Sequence, residues 1–144
     1  MIIVIVGASG SGKTTVGKML ENYNIPPLVS FTTREKREGE IHGLDYYFIH
    51  KEFIDNLSNR QITEITEYNG NYYGLLAMEV DVRWGKNENV YVIANADGAQ
   101  QIADKYPDDT IVFWLDVRFE TMVKRMRERG DSDEDIISRV EHAI

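Results

Sequence analysis

An apolar, mostly β-branched run, Ile2 to Val6, leads straight into Gly7-Ala8-Ser9-Gly10-Ser11-Gly12-Lys13-Thr14. This octapeptide satisfies G-x-x-x-x-G-K-[ST], and few patterns restrict a chain more. A continuous apolar run reads as a strand covered on both faces, hence as part of a parallel sheet. The glycines let the backbone curl so that its N–H groups converge on phosphate oxygens. Val16, Met19, Leu20 and Tyr23 then fall at helical spacing, which predicts a helix with a buried stripe. That helix turns its positive N-terminus toward the same anion. The segment from Gly7 through Thr15 is therefore a candidate nucleoside triphosphate site. In it Lys13 reaches the β- and γ-phosphates and the Thr14 hydroxyl is a ligand for Mg²⁺.

The rest of the chain alternates. Strands are expected at Leu28–Thr32, Asp45–Ile49, Ile62–Tyr68, Asn71–Tyr73, Val90–Ala94 and Ile111–Leu115. Between them, Phe53, Ile54 and Leu57 predict a short helix and Leu76–Trp84 a longer one. Ala99, Ile102, Ala103 and Tyr106 form one further stripe, and Phe119, Met122, Val123 and Met126 another. Ser132 with Asp135 reads as a capping box opening a last helix, with Ile136, Ile137, Val140 and Ile144 on one face. Strand–helix alternation predicts an α/β fold with a parallel sheet flanked by helices. Residues 28–75 hold strands without long helices and read as an inserted subdomain with some antiparallel pairing.

Composition narrows the partners. The 144 residues carry 16 Lys and Arg against 24 Asp and Glu, a net charge of −8. That balance argues against a nucleic-acid polymer or an anionic membrane as partner. No segment is long and apolar enough to predict a membrane span. The chain has no cysteine, which excludes thiolate chemistry and fits a reducing, cytoplasmic address. Two basic clusters stand against the acidic trend: Arg34, Lys36 and Arg37, and Lys124, Arg125, Arg127 and Arg129. Arg34 and Arg37, near tyrosines, suit a phosphate monoester.

Four blocks in order make the chain resemble the guanylate kinases, P-loop enzymes acting on nucleoside monophosphates. They are the glycine-rich loop, the run from Ser30 to Phe48 (S-F-T-T-R-E-K-R-E-G-E-I-H-G-L-D-Y-Y-F), Glu64 with Gly70-Asn71-Tyr72-Tyr73-Gly74, and Arg125 with Arg129-Gly130 ahead of an acidic run. The resemblance implies ATP-dependent, Mg²⁺-assisted phosphorylation of GMP to GDP, and of dGMP as well. It implies that Arg34, Arg37, Tyr46 and Tyr73 hold the phosphate of GMP and that Ser30 and Glu64 read the guanine. The chemistry of Glu64 agrees. Guanine offers two parallel donors, N1–H and N2–H₂, to the two oxygens of a carboxylate, and adenine offers neither. Arg125, Arg129 and Arg139 would neutralise the transferring group from a mobile helical lid. The implied division is a core at about 1–29 and 88–118, an acceptor-binding subdomain at about 30–87 and a lid at about 119–144.

The chain departs from the family pattern in places. A P-loop enzyme normally carries a carboxylate at the end of the second core strand to orient the metal's waters. Here the corresponding positions hold Ile93 and Asn95, and the nearest acids are Asp97 and Asp116. Asp97 is expected to substitute by a local shift as the metal-side residue, or Asp116 after the next strand to help, with a helix N-cap as the equal alternative for either. Leu75 stands where a small hydroxyl residue is usual, so a base or phosphate contact is expected to be lost. The family's last parallel strand and helix have no counterpart up to Ile144. These departures keep two other readings open: a kinase for another phosphorylated acceptor, or a phosphate-binding module without catalysis.

Overall fold

The computed structural model describes residues 1–143. Ile144, expected on the last helical stripe, lies outside the described residues. The order is β1 (Ile2–Gly7), α1 (Lys13–Glu21), β2 (Phe31–Thr32), β3 (Tyr47–Phe48), α2 (Lys51–Asp55), β4 (Ile62–Tyr68), β5 (Asn71–Leu76), α3 (Ala77–Gly85), β6 (Val90–Ile93), α4 (Ala96–Lys105), β7 (Thr110–Leu115), α5 (Phe119–Arg129) and α6 (Asp133–Ala143). Two sheets divide the strands. One is parallel, in the order β6-β1-β7, and the other is mixed, in the order β3-β2-β5-β4.

The apolar opening run takes the centre of the parallel sheet. Ile2 to Ile5 register against Val90 to Ile93 on one side, and Ile2 to Gly7 against Thr110 to Leu115 on the other. Alternate residues then serve two cores. Ile2, Val4 and Val6 pack with Val80, Ala99 and Ile102 from α3 and α4, while Ile3 and Ile5 pack with Val16 and Leu20 of α1 and with Tyr91. Burying each such side chain contributes about 1.5–3 kcal/mol, so β1 anchors both layers. The loop that follows it starts from the buried central strand of the parallel sheet.

The mixed sheet lies within residues 30–87. β5 pairs antiparallel with both β2 and β4, and β2 pairs parallel with β3. β2 and β3 are shorter than their sequence predicts. The Leu28 N–H donates to the Tyr91 carbonyl at 2.7 Å and the Val29 N–H to Glu79 Oε1 at 3.0 Å. The first bond belongs to an isolated parallel bridge between Pro27 and Tyr91 and the second goes to a side chain, so Leu28 and Val29 are buried without extending β2. On α1 the expected stripe is half right. Val16 and Leu20 face the core, whereas Met19 is 58% exposed and Tyr23, beyond the helix end, is 76% exposed. The capping box is present: the Asp135 N–H donates to Ser132 Oγ at 3.1 Å. β7 is an edge strand whose Val112, Phe113 and Trp114 are solvent-exposed.

Leu75 is fully buried in the larger core beside Val80 and Ile102. The side chain packs where the sequence led us to expect a lost polar contact. Leu75→Ser removes that packing and buries a hydroxyl among aliphatic groups. The expected cost is about 3 kcal/mol or more, read as a lowered chemical-denaturation midpoint with an unchanged slope.

Candidate active site at two adjoining cavities

The glycine-rich loop leaves β1 and enters α1 through left-handed backbone at Gly10 (φ 79°) and Gly12 (φ 98°), conformations that side chains disfavour. The loop engages its own lysine. Lys13 Nζ donates to the carbonyls of Gly7 at 2.6 Å and Ala8 at 2.9 Å. Burial, then Arg129 and Arg139, lower the Lys13 pKa. The buried Ser11 Oγ has no partner among the described residues. A buried orphan hydroxyl in a curled loop fits a ligand with acceptor oxygens.

The arginines from the C-terminal helices arrive at this loop. Arg125 Nη1 donates to the Gly10 carbonyl at 2.9 Å, and Arg139 Nη1 to Ser9 Oγ at 3.1 Å. Arg129 pairs with Asp131, which also approaches Arg139 at 3.7 Å. A cavity of about 1110 Å³ is lined by Ser9 through Val16, Tyr46, Trp114 through Val117, Arg125, Arg129 and Arg139. The volume suits a nucleoside triphosphate. Thr15, expected on the triphosphate side, lines it as well.

A second cavity, of about 290 Å³, lies between the two sheets. Glu64, Thr66, Tyr68, Tyr73 and Gly74 line it from the mixed sheet, Ser30 and Tyr46 from just before β2 and β3, and Gly7, Lys13, Ile93, Ala94 and Asn95 from the core. Lys13 and Tyr46 line both cavities, so the two meet there. Four of the expected acceptor residues, Ser30, Tyr46, Glu64 and Tyr73, share the smaller cavity.

The two acceptor arginines sit differently. Arg34 is held by Glu40 in a bidentate pair at 3.0 and 2.8 Å, with the Tyr46 and Phe48 rings at 5.6 and 5.9 Å. Hydrogen bonding to Glu40 raises the Arg34 pKa, and hydrogen bonding to Arg34 pulls Glu40 down to about 2. Glu40 also accepts from the Arg37 N–H at 2.8 Å, while the Arg37 side chain is exposed. One carboxylate therefore shapes the whole arginine turn. Sequence reasoning missed Glu40, although its place six residues after Arg34 in the same block was a signal.

Glu64 is the unusual group. It is 5% exposed, in β4, facing the smaller cavity. Burial, and then the neighbouring Asp97 charge, push its pKa up to about 7. A Cβ on Gly98 would come within 2.9 Å of Glu64 Oε2, so a glycine lets this carboxylate rest on the first turn of α4.

The metal side is sparse. Among the described residues no group of three or more His, Cys, Asp or Glu could hold an ion. Asn95 caps α4, accepting from the Gly98 N–H at 2.8 Å. Asp97 accepts from Gln101 at 3.0 Å and lines neither cavity, contrary to its expected place beside the metal. Thr14 and Asp116 do line the larger one. This donor set fits Mg²⁺ carried by nucleotide phosphates and water, because that ion keeps several waters and needs few protein ligands.

The family model described as guanylate kinase matches residues 1–144. A guanylate kinase of Fusobacterium nucleatum is 36% identical over 99% of this chain and 79% of its own length. One of Prochlorococcus marinus is 40% identical over the same shares. The crystal structure of guanylate kinase from Anaplasma phagocytophilum superposes with a TM-score of 0.70 at 28% identity, covering 99% of this chain and 71% of that one.

Burying Glu64 has a stability cost with a definite sign. Its folded pKa is raised from 4.5 to about 7, so between those values the folded state holds more proton than the unfolded state. Stability from this group therefore falls as pH rises through that window, and the cost is fully present above it. Glu64→Gln removes the cost, about 3 kcal/mol at most. The variant is expected to melt several degrees above wild type near pH 8 and to converge with it near pH 4. Melting curves at the two pH values check this, and an equal difference at both would contradict it.

Proposed function

The chain belongs to the guanylate kinase family, enzymes that move the γ-phosphoryl group of ATP to GMP, and we propose that it does so across the junction of its two cavities. The observation that carries this reading is that Lys13 and Tyr46 line both cavities, with the buried Glu64 in the smaller one. A donor triphosphate on the loop and an acceptor phosphate beside Tyr46 would then face one another. Another phosphorylated acceptor is not favoured, because a buried carboxylate with no hydrogen-bonding partner among the described residues suits the paired donors of guanine. A binding-only module is not favoured either, with the loop and its three arginines intact.

Phosphoryl transfer asks the protein mainly for alignment and charge. Lys13 would leave the Gly7 and Ala8 carbonyls for the β- and γ-phosphates. Arg125, Arg129 and Arg139 would neutralise charge on the transferring group. Arg34, aimed by Glu40, would hold the acceptor phosphate with Arg37, Tyr46 and Tyr73. Ser30 and Glu64 would read the guanine. Thr14 would hold Mg²⁺, which lowers the charge on the triphosphate when bound. We place the reaction in the cytoplasm, in keeping with a sequence free of cysteine. No described helix is long and apolar enough to cross a membrane.

Coupled ADP-release assays with GMP, dGMP, AMP and UMP test the reading. GMP and dGMP are expected to turn over and AMP and UMP to fail; equal rates with AMP would overturn it. Lys13→Ala is expected to lower kcat by about 10²-fold or more. Glu40→Gln is expected to raise the KM for GMP more than that for ATP, since it frees Arg34 from its fixed orientation.

A further inference from the structure

β4 is the outer strand of the mixed sheet, with β5 on one side only. Such a strand presents unpaired N–H and C=O groups along its free edge. At Ile65, next to Glu64, both groups are taken. The Ile65 N–H donates to Gln101 Oε1 at 3.0 Å, and Gln101 Nε2 donates to the Ile65 carbonyl at 3.0 Å. The carboxamide of α4 thus completes the strand edge as a neighbouring peptide group would.

The same Nε2 also donates to Asp97 Oδ2 at 3.0 Å, one turn back on the helix. Only one orientation of the amide satisfies all three partners, so Asp97 fixes which end meets the carbonyl. On the opposite side the ladder to β5 slips in register between Ile62 and Glu64. The irregularity sits directly before Glu64, which itself pairs with Leu75. Lys105, at the far end of α4, donates to the carbonyls of Asn59 at 3.1 Å and of Ile62. The strand is docked on the helix at two points.

We propose that Gln101 is a positioning residue for base selection: its carboxamide, oriented by Asp97, holds the Ile65 edge of β4 on α4 and so sets where the Glu64 carboxylate meets the purine. This rests on Glu64 reading guanine. Pairing two donors with two carboxylate oxygens demands closer placement than a single hydrogen bond. Loosening the strand therefore costs guanine more than hypoxanthine, which keeps N1–H but lacks the 2-amino group.

The test is steady-state kinetics with GMP, IMP and ATP, alongside melting temperatures, for wild type, Gln101→Met, Glu64→Gln and the double variant. Gln101→Met keeps much of the side-chain shape and removes the three hydrogen bonds. It is expected to raise the KM for GMP about ten-fold, to narrow the preference for GMP over IMP, and to leave the KM for ATP within about two-fold. The double variant is expected to discriminate no worse than Glu64→Gln alone, as for residues acting through one another. An unchanged GMP/IMP preference would overturn the proposal, as would equal rises in both KM values with a lower melting temperature. Should Gln101→Met not fold, Gln101→Glu keeps the acceptor for the Ile65 N–H and loses the donor. It must narrow the same preference, and wild-type discrimination in it would equally overturn the proposal. Glu64→Gln separates the two levels: if it keeps the GMP preference, the base-reading role itself fails. If it loses that preference while Gln101→Met keeps it, only the role of Gln101 fails.

Discussion

Glu64 is held where its own ionisation is unfavourable. Burial and the Asp97 charge both oppose it, and the fold accepts that cost to keep an unpaired carboxylate facing a cavity. Several local features follow from this one constraint. Gly98 is small enough to let the carboxylate approach α4, Asn95 caps that helix, and Gln101 ties it to the strand carrying Glu64. Sites that hold unfavourable charge in readiness for a ligand trade stability for function. A guanine edge supplies two donors to the oxygens that burial leaves short of them.

The phosphate sites follow the opposite rule, with most of their cationic side chains engaged in advance. Lys13 rests on loop carbonyls, Arg125 and Arg139 on the loop itself, and Arg34 on Glu40. Their side chains are already near the places where nucleotide phosphates would compete for them. Such preorganisation lowers the reorganisation needed at the moment of transfer. The net charge of −8 is therefore no obstacle to two anionic substrates. Lys13, Arg125, Arg129 and Arg139 gather positive charge at the loop, whereas in the turn from Arg34 to Glu40 three basic side chains are balanced by three acidic ones.

Much of this was legible in the sequence, for physical reasons that differ by element. β1 could be read because a continuous β-branched run admits one burial pattern, and β4 because its boundaries fall on turn residues. The loop could be read because few backbones other than a phosphate cradle need those glycines. β2 was overestimated because the partners of Leu28 and Val29, Tyr91 and Glu79, are distant in the chain. Leu75 looked like a lost contact, whereas its neighbours Val80 and Ile102 make it core. Asp97 looked like a metal-side acid, and only the fold shows it turned toward Gln101. Glu40 and Gln101 act through the side chains and backbone they orient, and local spacing carries little sign of that.

Proton release on GMP binding tests the central claim most directly. With its pKa near 7, Glu64 is about half protonated at neutral pH in the free enzyme, and pairing with guanine requires the ionised form. Calorimetric titrations at pH 7 in buffers of different ionisation enthalpy measure the protons released. Wild type is predicted to release about half a proton more per GMP bound than Glu64→Gln. Equal release by the two proteins would contradict the account of a carboxylate held ready, against its own ionisation, for guanine.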